Sequence, residues 1–202
     1  MAFIANTAFE LKVTNHEFDS TANISGYFVM VDGETGEITA LDCSAGVFCK
    51  KYALVQNEGY PAGVMNGNTW NMLQTTGSET VATPIYACNP HNVQELAGRD
   101  GNVYKIGSET LGIGIPAGER DTFTRIDFLP GDRHYRFGIG NVSGTLGTNG
   151  FLTIENGLLK PAAAAPQTAG TPYFKVLGTG NFTEGAYNSF GYVDVEAHAV
   201  IA

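Results

Sequence analysis

The sequence predicts a mainly β fold: an antiparallel sandwich or barrel-like domain with long loops, extended arms and one short helix. Three observations predict it. Apolar and polar residues alternate along short runs, as they do on half-buried strands. Turn signals interrupt those runs about every eight to twelve residues. The 26 glycines stand beside many Thr, Asn and aromatic residues, a composition suited to strands and tight turns rather than helices.

The 202 residues suit one larger domain or two small ones. Leu, Ile, Val and Phe number 49 together. That is about 24 % of the chain, above the roughly 20 % below which disorder is the better expectation. Residues 1–78 read as an N-terminal arm, a β-hairpin and an irregular loop region. Residues 79–202 read as the main antiparallel β domain, with a single domain overall as the alternative.

The elements follow in chain order. "MAFIANTAFELK" has neither a basic start nor a long apolar run, so no secretory signal is expected. It reads as an arm that adds to another chain's surface or sheet edge. "GYFVMVDGETGEITALD" reads as strand, turn, strand, with Asp32-Gly33 and Thr35-Gly36 supplying the turn chemistry. Gly59 to Gly77 has scattered apolar residues and no sustained period, so a long loop or small insertion is expected, in which Trp70 and Met72 need a surface to pack on.

"CNPHNVQELAGRD" carries helix punctuation: Asn89 as N-cap, Pro90 at the first helical position, Gly98 as the stop. About two turns of helix are expected there. "TFTRIDFL" and "HYRFGIG" are further strands. "LLKPAAAAPQTAGTP", Leu158 to Pro172, should be extended, as a connector or as an arm lying across a neighbour; its Pro161 and Pro166, with Trp70 of the Gly59–Gly77 segment, are the expected interaction surface. In "GYVDVEAHAVI", Val193, Val195, Ala197 and Ala199 share one face, and Asp194, Glu196 and His198 share the other, with His198 expected in solvent.

"DFLPGDRHYRFGIG", Asp127 to Gly140, is where chemistry would be sought first, since it gathers two Asp, two Arg and a His around a Pro-Gly turn. A four-residue loop over Pro130 to Arg133 would set Phe128 opposite Tyr135, Asp127 opposite Arg136 and Ile126 opposite Phe137. Opposite charges across a ladder stabilise by about 0.2–1 kcal/mol. The stretch then reads as a structural hairpin built on Asp127, Arg136, Phe128 and Tyr135. It faintly resembles the first metal-binding motif of cupin barrels, but His134 stands alone where that motif needs a His-x-His pair, so a metal-dependent cupin is excluded.

Other chemistry is sparse. Cys43, Cys49, Cys88 and His91 would make a Cys3His zinc set with a C-x-x-H pair, but Cys43 and Cys49 are spaced more loosely than a zinc knuckle. Buried structural thiols are the plainer reading, so no metal and no cofactor is expected. Three cysteines also fit a reducing compartment better than a disulfide scaffold. The glycine strings "GIGIPAG" and "GIGNVSG" lack dinucleotide spacing and open no evident helix. There is no nucleophile elbow and no zinc-protease motif. Asp194 and Glu196 could flank a sugar bond, yet alternating charge on a strand face is far commoner. The expectation is a protein that is not an enzyme. A net charge of −9 with 11 basic residues argues against nucleic acid. No apolar run approaches the roughly 18 residues of a membrane-spanning helix, so no membrane partner is expected either.

The stretch "VYKIGSETLGIGIPAGERDTFTRIDFLPGDRHYRFGIGNVSG", followed by "NGFLTIENGLLKPAAAA" and "TPYFKVLGTGNF", resembles the head decoration (auxiliary or cement) proteins of tailed bacteriophages in its strand-and-turn cadence, from Val103 to Phe182. The resemblance implies a non-enzymatic β-rich virion protein, made in the host cytoplasm and clamped onto the outside of the capsid. Its partners would be the major capsid protein and copies of itself, trimers among the arrangements. A tail or baseplate component, or a carbohydrate-binding or cupin-like β-module with Trp70 as stacking platform, are the alternatives.

Overall fold

The alternating runs do become strands, and their two faces fill two different cores. The computed structural model describes residues 3–13, 23–56, 65–90, 94–97, 103–106, 114–128, 133–147, 150–184 and 188–201, with the backbone alone at 11–13, 56, 65–68, 94–97, 103–106, 182–184 and 188–189. In chain order the strands are β1 (Phe9–Val13), β2 (Asn23–Val31), β3 (Ile38–Ala40), β4 (Cys43–Ser44), β5 (Phe48–Gln56), β6 (Met65–Gln74), β7 (Ile85–Cys88) and β8 (Gln94–Ala97). They continue with β9 (Val103–Ile106), β10 (Gly114–Ile115), β11 (Asp121–Arg125), β12 (Arg133–Gly138), β13 (Phe151–Glu155), β14 (Leu158–Ala162), β15 (Pro172–Glu184) and β16 (Asn188–Ala199). Among the described residues the one helical element is a 3-10 turn, Ile139–Asn141.

Five strands close on themselves. The order β11-β7-β5-β6-β2 is completed by a direct β11–β2 pairing, which makes a small barrel in which only β2 and β6 run parallel. Its interior is filled by Ile24, Phe28, Cys49, Met72, Tyr86, Cys88 and Phe123, joined by Cys43 and Ile115 from the two-residue β4–β10 ribbon. Closure removes the open edges that β2 and β11 would otherwise present to other chains.

The remaining long strands form a six-stranded antiparallel sheet in the order β1-β12-β16-β15-β13-β14. Its inner face carries Phe9, Tyr135, Phe137, Leu152, Ile154, Leu159, Phe174, Val193, Val195 and Ala197. The barrel meets this face with the outward side chains of β5 and β7, namely Phe48, Ile85 and Ala87. Phe48 is the central knob: its ring centroid lies 5.2 Å from that of Phe137 and 5.6 Å from that of Phe174, both in tilted contact. Aromatic pairs at such separations contribute beyond their buried area. Cys49 and Phe48 are adjacent in sequence yet belong to opposite cores, which is the period-two pattern made physical.

Several expectations are corrected. The Asn89–Gly98 helix does not form; Gln94–Ala97 is β8 and pairs with β9, Gln94 opposite Ile106. Asn89, expected as its cap, instead donates from its side chain to Thr124 Oγ1 at 2.9 Å and from its N–H to the Thr122 carbonyl. Two turns of helix are marginal without tertiary packing, and strand pairing wins. The Gly59–Gly77 loop is replaced over Met65–Gln74 by β6, a barrel strand; residues 59–64 lie outside the described residues. Its alternation is not sustained because its pairing with β5 shifts register twice, with an extra β5 residue between Lys51 and Ala53 and extra β6 residues between Met65 and Trp70.

The N-terminal arm adds to the sheet of its own chain: Phe9 pairs with Phe137 and Val13 with Arg133. The segment before it is held by Asn141, a buried side chain whose Oδ1 accepts from the Ala8 N–H at 3.1 Å and whose Nδ2 donates to the Ala45 carbonyl at 2.7 Å. Here "GIGNVSG" finds its purpose. A Cβ on Gly138 would stand 2.3 Å from the Asn6 carbonyl oxygen, and one on Gly140 1.9 Å from that of Ala5. These glycines let two backbones touch, not a phosphate. Strands from either side of residue 78 pair with one another in both layers.

Candidate functional site

The expected hairpin around Pro130 is not one. β11 pairs with β7 and β2 in the barrel, while β12 pairs with β1 and β16 in the six-stranded sheet, so Asp127 does not face Arg136. The chain crosses from one layer to the other here; residues 129–132 lie outside the described residues. Phe128 packs on Phe174 at 5.4 Å rather than on Tyr135. The Tyr135 hydroxyl accepts the Asp127 backbone N–H at 2.9 Å, and burial pushes its pKa up to about 12. Asp127 Oδ2 lies 3.8 Å from Arg133 Nη1.

Arg136 is engaged elsewhere, on the outer face of the six-stranded sheet. Its Nε and Nη2 donate to the two carboxylate oxygens of Asp194, both at 2.8 Å, in the fork-to-fork geometry that suits guanidinium and carboxylate. Its Cζ lies 3.7 Å from the centroid of the Tyr192 ring, and Glu10 Oε2 is 3.9 Å from Nη1. The Asp194 hydrogen bonds push the guanidinium pKa further up, so it stays charged. Along the same strand, Glu196 Oε2 lies 3.2 Å from His198 Nε2, at an angle that makes no hydrogen bond. His198 is not the solvent-exposed residue expected: its ring stacks on Tyr173 at 5.4 Å and its side chain is 21 % exposed. Asp194 and Glu196 do share a face, but Arg136 grips the first and the His198 side chain stands against the second. This is a charge ladder across strands, and it sets register.

The three thiols of the proposed zinc set do converge, in the barrel interior, where Cys43, Cys49 and Cys88 are all buried. Burial pushes all three thiols up, which keeps them protonated and disfavours nucleophilic attack. Cys88 Sγ lies 3.8 Å from the Cys43 carbonyl oxygen and Cys49 Sγ 3.5 Å from that of Val47. His91 lies outside the described residues. Among the described residues no group of three His, Cys, Asp or Glu side chains is placed to hold a metal.

Trp70 sits in β6, half-buried, with the Lys51 ammonium 4.4 Å from the centroid of its ring and 5.4 Å from that of Tyr86. A cation already covers the aromatic face that would stack on a ligand.

Pro161 and Pro166 lead to the feature that does have the form of a site. A cleft of about 560 Å³ is lined by residues of the Pro161–Pro172 strap, by the Thr76–Glu79 turn, and by Ile85 and Ile154. Both walls are fixed. Glu79 accepts from the Thr76 N–H, the Gly77 N–H at 2.8 Å, the Thr76 hydroxyl and Lys50 Nζ at 2.6 Å. Burial alone would raise its pKa, but the Lys50 ammonium and the turn's N–H groups outweigh that and hold it at about 2. The strap is tied by the Val81 N–H to the Gly170 carbonyl at 3.0 Å and by the Gly170 N–H to the Val200 carbonyl at 2.9 Å. Across the mouth, Glu155 and Lys160 form an ion pair on the β13–β14 hairpin.

Sequence reasoning missed this cleft. The signal was present in "TTGSET": Thr76 and Glu79 stand in the T-x-x-E spacing in which a carboxylate reaches back to a backbone N–H three residues earlier. That stretch straddles the end of the segment read as loop. No protein-family model, curated protein or solved structure matches the chain.

Proposed function

We propose that the chain is a non-enzymatic structural protein of a tailed-phage virion, a decoration protein that binds the outside of the capsid and stabilises it. The observation that carries this reading is the contrast between its ionisable and its apolar side chains. The carboxylates of Glu79, Asp194 and Glu155 are held in ion pairs, whereas large apolar side chains stand in solvent on the β2–β3 hairpin. Met30 is 52 % and Ile38 46 % exposed, both on the β2–β3 hairpin.

The hairpin's turn is preset by Asp32, whose carboxylate accepts from the N–H groups of Glu34 and Thr35 at 2.8 Å each, and whose backbone N–H donates to the Glu37 carbonyl. A pre-formed element loses less entropy on docking, and exposed apolar groups supply attraction once covered. The resemblance of residues 103–182 to decoration proteins supplies the surface: the major capsid protein, with further copies of this chain beside it.

The test is sedimentation of purified particles followed by mass spectrometry. The expected result is the chain in many copies per capsid, lost together with thermal resistance of the shell when Met30→Asp and Ile38→Asp are combined. Its absence from purified particles, or labelling confined to the tail, would reject the decoration role.

A further inference from the structure

We propose that the cleft lined by the Pro161–Pro172 strap is a binding site for a neutral saccharide. Its volume, about 560 Å³, falls within the roughly 300–1,000 Å³ of small-molecule sites. Its charges are already matched: Glu79 is saturated by Lys50 and the Thr76–Gly77 turn, and Glu155 is held by Lys160. An ionic ligand would find no unmatched charge to meet and would disrupt pairs already made.

What the cleft offers a ligand is neutral and bifunctional. Thr168 and Thr171 contribute hydroxyls that both donate and accept; the Thr153 hydroxyl donates to the Lys160 carbonyl and keeps its acceptor lone pairs, and Gln167, whose Nε2 donates to the Ala165 carbonyl at 3.1 Å, keeps its amide oxygen and second N–H. Pro161, Pro166 and Pro172 supply apolar ring surface beside them. Hydroxyls interleaved with C–H surface describe a sugar ring. A peptide is disfavoured, because the edge strand that lines the cleft, β14, carries Pro161, which has no N–H to continue a ladder with an added strand. Both walls are hydrogen-bonded in place, so little ordering cost falls on binding. The site lies apart from Trp70, whose face Lys51 covers.

The experiment uses the purified full-length chain alone, so its outcome is independent of whether the chain is found on virions. The chain is screened against an array of neutral and charged oligosaccharides, and hits are measured by saturation-transfer NMR and titration. At least one neutral saccharide is expected to bind. Gln167→Ala combined with Thr168→Val should weaken it about tenfold, as for two lost hydrogen bonds. Ala162→Phe, which fills the cleft, should abolish binding, and Trp70→Phe should leave it unchanged, with unaltered melting temperatures certifying each fold. The proposal is overturned if no neutral saccharide binds, if only charged ones do, or if the cleft variants bind as well as the parent.

Discussion

Glu79 makes the stability of this protein depend on pH in a calculable way. Its carboxyl, ordinarily near 4.5, is held at about 2 in the folded chain. A group with a depressed folded pKa stabilises above its unfolded pKa and loses that contribution as pH falls through the folded one. The window is therefore pH 4.5 down to about 2. The shift converts to about 3 kcal/mol, a figure the 4 % exposure of the side chain permits without a large discount for solvent screening.

At the middle of the window, near pH 3, linkage leaves about half of that, so the pH dependence and not just the size is predicted. The measurement is urea unfolding of the wild type and Glu79→Gln from pH 7 to pH 3, read as the difference between the two so that other carboxylates cancel. The variant should be less stable by about 2–3 kcal/mol at pH 7, and the gap should narrow steadily below pH 4.5. A gap that stays constant across the range would refute the argument, because it would show that the lost contacts are not those of the ionised form. Lys50→Met should shift the same transition upward in pH.

Phe48→Ala removes the knob that joins barrel and sheet and should cost about 3–5 kcal/mol in urea unfolding. A loss under 1 kcal/mol would mean the two layers do not depend on it. A double-mutant cycle on Arg136 and Asp194 should return about 1 kcal/mol of coupling, and the same cycle on Arg136 and Asp127 should return none within error. The reverse ranking would restore the local hairpin. The three cysteines should resist a thiol reagent in the native protein and react fully on unfolding, as buried protonated thiols do; rapid native labelling of any one would contradict its placement in the barrel interior.

Faces were legible in the sequence where partners were not. Val193, Val195 and Ala197 are buried and Asp194, Glu196 and His198 lie opposite, as the alternation of that run requires. The β2–β3 hairpin formed where Asp32 and Gly36 placed turn chemistry between two strands. Periodicity tells a strand which side is inward, but it does not say which strand lies beside it. That is why Arg136 was matched to a neighbour nine residues away when its carboxylate stood at Asp194, 58 residues on. The cleft was hidden for the same reason: its walls, Thr76 to Glu79 and Pro161 to Pro172, are distant in sequence and meet only through tertiary packing.

The position of β16 governs when this chain can fold. It is the last strand among the described residues, yet it lies in the middle of its sheet, with β12 on one side and β15 on the other. During synthesis β1 and β12 can pair, but they face a missing centre until residue 199 has left the ribosome. The β1–β12 pair and the β15-β13-β14 group are joined only through β16, so the layer that Phe48 packs on is complete only once β16 is in place. Non-local pairing of this kind slows folding and leaves apolar strands exposed in the meantime. Trimming the chain by a few residues within β16 should thus release not a shortened protein but an aggregate.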